Sequence, residues 1–193
     1  MNKKDMLRKV IYAILFILII VAFVYIGEKY TKEDKIETVI SDLYDGIDDK
    51  NFKIVRGKQT IDLLKKGHNI ILMGDKTSKY SKKYIEEVSS ILKELKIDNI
   101  YYYDLINDKA QENSNYYKII ELLEGNLIST DLNENILLTP SLYIVNNGKV
   151  EYYNTYTAAP KNTDELKNYW AKEKEEEFKK EVKDAIKKFY LNK

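Results

Sequence analysis

From Asn51 onward, short apolar runs alternate with amphipathic segments, and that order limits the fold more than any single residue does. Residues 69–73 (NIILM) are a continuous apolar run between polar neighbours, the pattern of a strand buried on both faces. Phe52, Ile54 and Val55 fit an earlier strand, and residues 99–103 (NIYYY) a later one. Between the first two, Thr60 is placed to cap a helix that runs to Lys66 and stops at Gly67. A second helix is predicted from about Ser81, with Tyr84, Ile85, Val88, Ile91, Leu92 and Leu95 on one face, and a third near residues 114–123. Residues 141–145 and 149–153 flank Asn146-Asn147-Gly148, a hairpin signal. A long helix over residues 163–190 closes the chain, with Leu166, Tyr169, Trp170, Phe178, Val182, Ala185, Ile186, Phe189 and Tyr190 at three- and four-residue steps. The order β-α-β-α-β-α-β-β-α contains two strand–helix–strand units, which require parallel pairing, and ends in an antiparallel hairpin. The expected class is α/β, a central mixed sheet flanked by helices.

Ahead of this pattern lies a different kind of segment. Residues 10–26 (VIYAILFILIIVAFVYI) carry no charge or strong polar group. As a helix at ~1.5 Å per residue the run is about 25 Å long, the short end of what crosses a bilayer core. Lys3, Lys4, Arg8 and Lys9 precede it against Asp5 alone, so the positive-inside rule keeps the N-terminus in the cytoplasm and sends the rest outside. Tyr25 and Tyr30 fall where an aromatic belt would sit. No small-x-small cleavage site follows, and the run exceeds the usual signal-peptide core. The expectation is an uncleaved single-pass anchor in a bacterial cell membrane with the C-terminal domain outside. The domains read as 1–27, cytoplasmic tip and transmembrane anchor; 28–50, juxtamembrane helix or linker ended near Gly46; and 51–193, the α/β domain with its long C-terminal helix.

Composition then removes whole classes of function. The 193-residue chain has no cysteine and one histidine, which excludes disulfides, thiolate chemistry and lipid attachment to cysteine, and argues against a transition-metal site or a Ser-His-Asp triad. A formal net charge of +1 gives no basic face for nucleic acid. No cofactor and no metal are expected.

Two segments carry a family resemblance. The first is Ile70-Ile71-Leu72-Met73-Gly74-Asp75-Lys76-Thr77-Ser78-Lys79-Tyr80-Ser81-Lys82-Lys83-Tyr84, and the second is Thr139-Pro140-Ser141-Leu142-Tyr143-Ile144-Val145-Asn146-Asn147-Gly148-Lys149-Val150. Together with the element order they resemble the thioredoxin-like family, and within it the bacteriocin transport accessory branch. The resemblance spans about residues 51–193 and implies a thioredoxin-like fold with an extra N-terminal strand and helix. It implies that Gly74 and Thr77 keep their places, that Ser78 and Ser81 stand where the family has its Cys-x-x-Cys cysteines, and that Tyr80 keeps the aromatic between them. Lys79 departs from the proline often found there. It further implies that Pro140 is the family's cis-proline; either the proline serves the turn alone, or Thr139 and Pro140 border a groove for an extended peptide, a form of strand addition that needs no thiol.

The departure decides the chemistry. Disulfide exchange needs a thiolate, and a serine hydroxyl stays protonated and forms no S–S bond. Ser78 remains a fitting N-cap for the helix that follows. Activation of Ser78 as a hydrolase nucleophile is not expected, because His68 precedes the buried strand and so lies at its other end, more than about 15 Å away. His68 itself is expected to be solvated. Residues 124–138 form a long connection whose Glu124, Asp131, Asn133, Glu134 and Asn135 lack calcium-loop spacing, so a solvated loop or a short extra element is expected. The run AKEKEEEFKKEVKD reads as a solvated helix face.

The function expected from all this is a membrane-anchored extracytoplasmic protein without redox activity, an accessory, chaperone-like or peptide-binding partner in secreted-peptide export or immunity. The alternative is a thiol–disulfide oxidoreductase family member whose cysteines have become serines, naturally or by engineering. A third reading is a purely structural subunit of a membrane complex.

Overall fold

In a computed structural model of the protein, which describes residues 12, 14–21, 39–47, 49–130, 133–155 and 172–192, the apolar run of residues 69–73 lies in the central strand of a five-stranded sheet. In chain order the elements are α1 (Ile40–Leu43), a 3-10 turn (Asp49–Asn51), β1 (Phe52–Val55), α2 (Gly57–Lys65), β2 (His68–Gly74), α3 (Lys79–Leu95), β3 (Ile100–Asp104), α4 (Ile106–Ala110), α5 (Ser114–Leu122), β4 (Ile128–Thr130), β5 (Asn133–Ile136), β6 (Ser141–Asn146), β7 (Lys149–Thr155) and α6 (Lys172–Ile186), continued by a π-helical turn (Lys187–Leu191). The sheet runs β1-β3-β2-β6-β7. β1 and β2 pair with β3 in parallel, and β6 pairs antiparallel with both β2 and β7.

Strand parity divides the core. Ile70 and Leu72 of β2 face a cluster with Tyr84, Val88 and Leu92 of α3 and Phe178 and Val182 of α6, whereas Ile71 and Met73 face one with Leu64 of α2 and Ile119 of α5. Successive strand side chains point to opposite faces, so a strand without a polar residue over residues 70–73 must be covered on both sides. The hairpin turn uses Asn147 and Gly148 at positive φ (48° and 87°), as a two-residue turn matched to strand twist requires.

Several boundaries differ from the sequence expectation. Thr60 does not cap α2; its hydroxyl donates to the Arg56 carbonyl (3.0 Å), one turn back, and the Gln59 side chain accepts from the Arg56 N–H instead (2.9 Å). The helix starts at Gly57, where any Cβ would press on the Asn115 side chain (2.7 Å). α3 starts at Lys79, two residues before the point where its apolar periodicity begins and directly after Ser78, the expected N-cap position. The long connection contains the β4–β5 hairpin, and α4 follows β3 without a periodic apolar signal. Of the helix expected over residues 163–190, the part before residue 172 lies outside the described residues.

The chain divides into two units, Met1–Glu37 and Thr38–Lys193. In the first, residue 12 and residues 14–21 are helical, with apolar side chains from 46% exposed at Ile20 to 68% at Tyr12. The other residues of the predicted anchor, and residues 28–38, lie outside the described residues. Among the described residues no helix is long and apolar enough to cross a membrane. In the second unit, the segment of residues 39–47 that reads as linker supplies Ile40, Tyr44 and Ile47 to the core around α3.

Candidate functional site

The site grows out of the end of β2. Gly74 is its last residue, and a Cβ there would run into the hydroxyl and ring of Tyr102, so glycine is what lets β3 carry a tyrosine at this point. The chain then turns. The Asp75 carboxylate accepts from the Thr77 N–H (2.8 Å) and the Thr77 hydroxyl (2.6 Å), and the Ser78 N–H donates to the Asp75 carbonyl (2.9 Å). This Asx turn aims the chain into α3.

The two serines are not equivalent. Ser78 occupies the N-cap position with extended backbone (φ −90°, ψ 120°), yet its side chain makes no capping bond. Ser81 is buried and accepts from the Asp75 N–H (3.1 Å). The Tyr44 hydroxyl lies 2.7 Å from the Tyr102 hydroxyl, the two rings meeting edge-on at 5.8 Å. Burial pushes both phenols well above their ordinary value, so both stay neutral. The two phenols form a buried pair against Gly74, and Ser81 is buried at the start of α3. The main chain of Lys79 begins α3, and Tyr80, half-buried, packs on the core.

The β2–β6 register pairs Met73 with Ser141. One step further it sets Pro140 beside Gly74, so the cis Thr139-Pro140 peptide and the Ser78–Ser81 turn share one end of the sheet. Pro140 is buried and Thr139 half-buried. Asp104 ends β3 at the same edge, half-buried; burial raises its carboxyl pKa against the hydrogen bonds it accepts from the Ile106 N–H (3.2 Å) and the Lys76 backbone, with Asp75 adding to the rise. Tyr44, Tyr102, Asp75 and Asp104 are site residues that sequence reasoning missed. Gly74-Asp75 after an apolar run was the available signal, since it marks a turn, but nothing local pointed to Tyr44.

His68 is at the far end of β2, a seven-residue strand, about 20 Å away at ~3.3 Å per residue. It is not solvated as expected: Nε2 is 2.7 Å from the Phe189 carbonyl oxygen, and the ring meets Tyr190 edge-on at 5.0 Å. Away from both ends, the buried Glu87 of α3 is held by Lys83 and by Lys179 of α6 (2.7 Å), and Glu175 bridges both lysines. Burial works against charge on these lysines, but the carboxylates leave both with raised pKa values. Among the described residues no group of three or more His, Cys, Asp or Glu is placed to hold a metal.

No protein-family model matches the chain, and no curated protein is similar to it. Among solved structures, it is similar to a crystal structure of a designed protein at 13% identity and a TM-score of 0.36, covering 64% of this chain and 96% of that one, a likeness too slight to carry an argument.

Proposed function

We propose that the chain is a thioredoxin-fold protein without thiol chemistry, held on the outside of a bacterial membrane by its N-terminal helix, and that it binds an extended peptide rather than oxidising or reducing one. The observation that carries this reading is the juxtaposition of Ser78 and Ser81, at the start of α3, with Thr139-Pro140 at the start of β6, in a chain with no cysteine. Serine keeps the size and polarity of the position and forms no disulfide. The mixed strand order β1-β3-β2-β6-β7 supports the fold, and the exposed apolar side chains of residues 14–21 support the anchor. An extended peptide laid beside Thr139 would be held by main-chain hydrogen bonds, with secreted-peptide export, maturation or immunity as the setting.

The test is titration of the protein with unfolded client peptides, followed by backbone chemical shifts. Shifts confined to residues 75–81 and 138–141 are expected; their absence would overturn peptide binding. The silenced-oxidoreductase alternative is met by the Ser78→Cys/Ser81→Cys form in an insulin-reduction assay. Turnover by that form and none by the native one would mark a redox scaffold whose chemistry has been removed.

A further inference from the structure

A second cleft opens at the other end of α3. That helix has 17 residues, so its C-terminus lies about 25 Å from Ser78 at ~1.5 Å per residue, well away from the loop of residues 75–81. Here Lys96 takes left-handed backbone (φ 54°, ψ 42°) and ends the helix. Its N–H meets the Lys93 carbonyl (3.2 Å), and the Ile97 N–H meets that of Leu92 (3.0 Å). The 3-10 turn of residues 49–51 packs against this end. Between them lies a cleft of about 280 Å³ lined by Lys50, Asn51, Leu92, Lys93, Lys96 and Asp98. Asn51 is the telling residue. It is 5% exposed, and among the described residues its Nδ2 has no hydrogen-bond partner. A buried amide donor left unpaired costs free energy, so an orphan of this kind calls for an acceptor from outside the chain.

We propose that this cleft binds a phosphate group, and that the ligand is a phosphate ester of a small polyol. The lining offers one amide and three ammonium groups as donors, against the single carboxylate of Asp98. Such a set selects a ligand that is anionic and rich in acceptors. A phosphate supplies more acceptor oxygens than a carboxylate and is the better match to donors that come from two separate segments. Asp98 can only accept, which suits a hydroxyl beside the phosphate. The negative end of α3 works against any anion, but the left-handed turn already gives the Leu92 and Lys93 carbonyls N–H partners. Nothing in this depends on peptide binding at the opposite end of the helix.

The experiment is titration of the full chain, in uncharged detergent micelles, with glycerol 3-phosphate at constant ionic strength, read as backbone amide shifts. Sodium chloride is the control. Saturable shifts at residues 50–51 and 92–98, absent with chloride, are expected. Asn51→Asp keeps the size of the side chain, exchanges its donor for a negative charge, and should abolish saturation. Lys96→Asn is exposed and suits left-handed backbone, so the fold is not at risk; it should weaken binding about tenfold. Lys180→Gln, in the groove between α3 and α6, should leave the affinity as it is. Short-chain phosphatidylglycerol added to the same micelles separates two sources of the ligand: tighter binding than glycerol 3-phosphate marks a lipid headgroup, and weaker binding a free phosphate ester. Shifts that never saturate, shifts spread over the exposed lysines of α6, or equal weakening by Lys96→Asn and Lys180→Gln would overturn the site. These shifts are read without peptide at residues far from 75–81 and 138–141, so this proposal and the peptide reading fail separately.

Discussion

Polar side chains stand at both ends of β2 and are used differently. At the His68 end each is committed to the main chain. His68 Nε2 meets the Phe189 carbonyl, the Asn69 amide donates to the carbonyls of Leu63 (2.8 Å) and Lys66 (2.7 Å), and Asn147 Oδ1 accepts from the Gly67 N–H (3.0 Å). At the Gly74 end, the Tyr44 and Tyr102 hydroxyls bond each other, Ser81, Asp75 and Asp104 each accept from a main-chain N–H, and both carboxylates remain half-buried. Side chains that saturate backbone groups close turns and leave nothing over for a ligand. Carboxylates that stay half-buried at the end of a sheet, each with lone pairs beyond those given to the main chain, keep capacity to accept from a ligand. The first end is a seal, and the second has the makings of a site.

The hardest way to break this contrast is to empty the Gly74 end. Tyr102→Ala removes a fully buried ring and is expected to cost about 3–5 kcal/mol, read as a lower denaturant midpoint at unchanged slope. Tyr102→Phe keeps the packing but removes the hydroxyl that the Tyr44 hydroxyl bonds, at a cost of about 1–2 kcal/mol. If the phenylalanine form were as destabilised as the alanine form, the hydroxyl group would be setting the fold and not merely the loop.

The seal should respond on a scale of its own. Asn69→Ala deprives two carbonyls of their donor at once and is expected to cost about 2 kcal/mol, while the exchange of the Asp75 amide stays as it is in the native chain. Acceleration at Asp75 would mean the two ends are coupled through β2.

Acid separates the ends in a third way. Asp104 has a raised pKa because burial disfavours its charge, so the folded state holds this proton more tightly than the unfolded one. The contribution of Asp104 to stability is least favourable above its folded pKa and improves as pH falls through that value towards the ordinary carboxylate range. Glu175 behaves oppositely. Its hydrogen bond to Lys179, with Lys83 also close, lowers its pKa, and its stabilisation is present above the ordinary value and lost as pH falls through the lowered one. Unfolding measured across mildly acidic pH should show the Asp104 gain before the Glu175 loss. Asp104→Asn retains an acceptor for the Ile106 N–H and should abolish only the gain. An unaltered profile in that variant would count against a special environment for Asp104.

What was legible in the sequence was what depends on near neighbours. β2 could be read from four large apolar residues in a row (Ile70 to Met73), the β6–β7 turn from Asn147-Gly148, and the buried face of α3 from its three- and four-residue spacing. The start of α3 just after Ser78 could be read from that serine before an amphipathic run; that the Ser78 side chain makes no cap bond, because Asp75 organises the turn, could not. The β4–β5 hairpin has no alternating apolar pattern to announce it. Tyr44 was read as part of a linker because its partner, Tyr102, lies 58 residues away, and no local periodicity records a contact of that range. The positions of Ser78 and Ser81 could be found from the motif; that they differ in burial could not.

That difference gives the smallest and sharpest comparison. In a pair inherited as a motif, both serines would be expected to matter alike. Here the Ser78 side chain makes no cap bond while Asp75 organises the turn, so Ser78→Ala should change stability by no more than about 0.5 kcal/mol, well short of the ~1 kcal/mol that losing a working N-cap costs. Ser81→Ala removes the acceptor of the Asp75 N–H and a neighbour of Tyr44, and should cost about 1–2 kcal/mol. Equal costs for the two would mean that Ser78 caps α3 in solution, and that the loop is held by that cap as much as by the bond from the Asp75 N–H to Ser81. A tolerated Ser78 beside a costly Ser81 would separate their roles: the outer hydroxyl free to meet a ligand, the inner one fixing where that ligand is met.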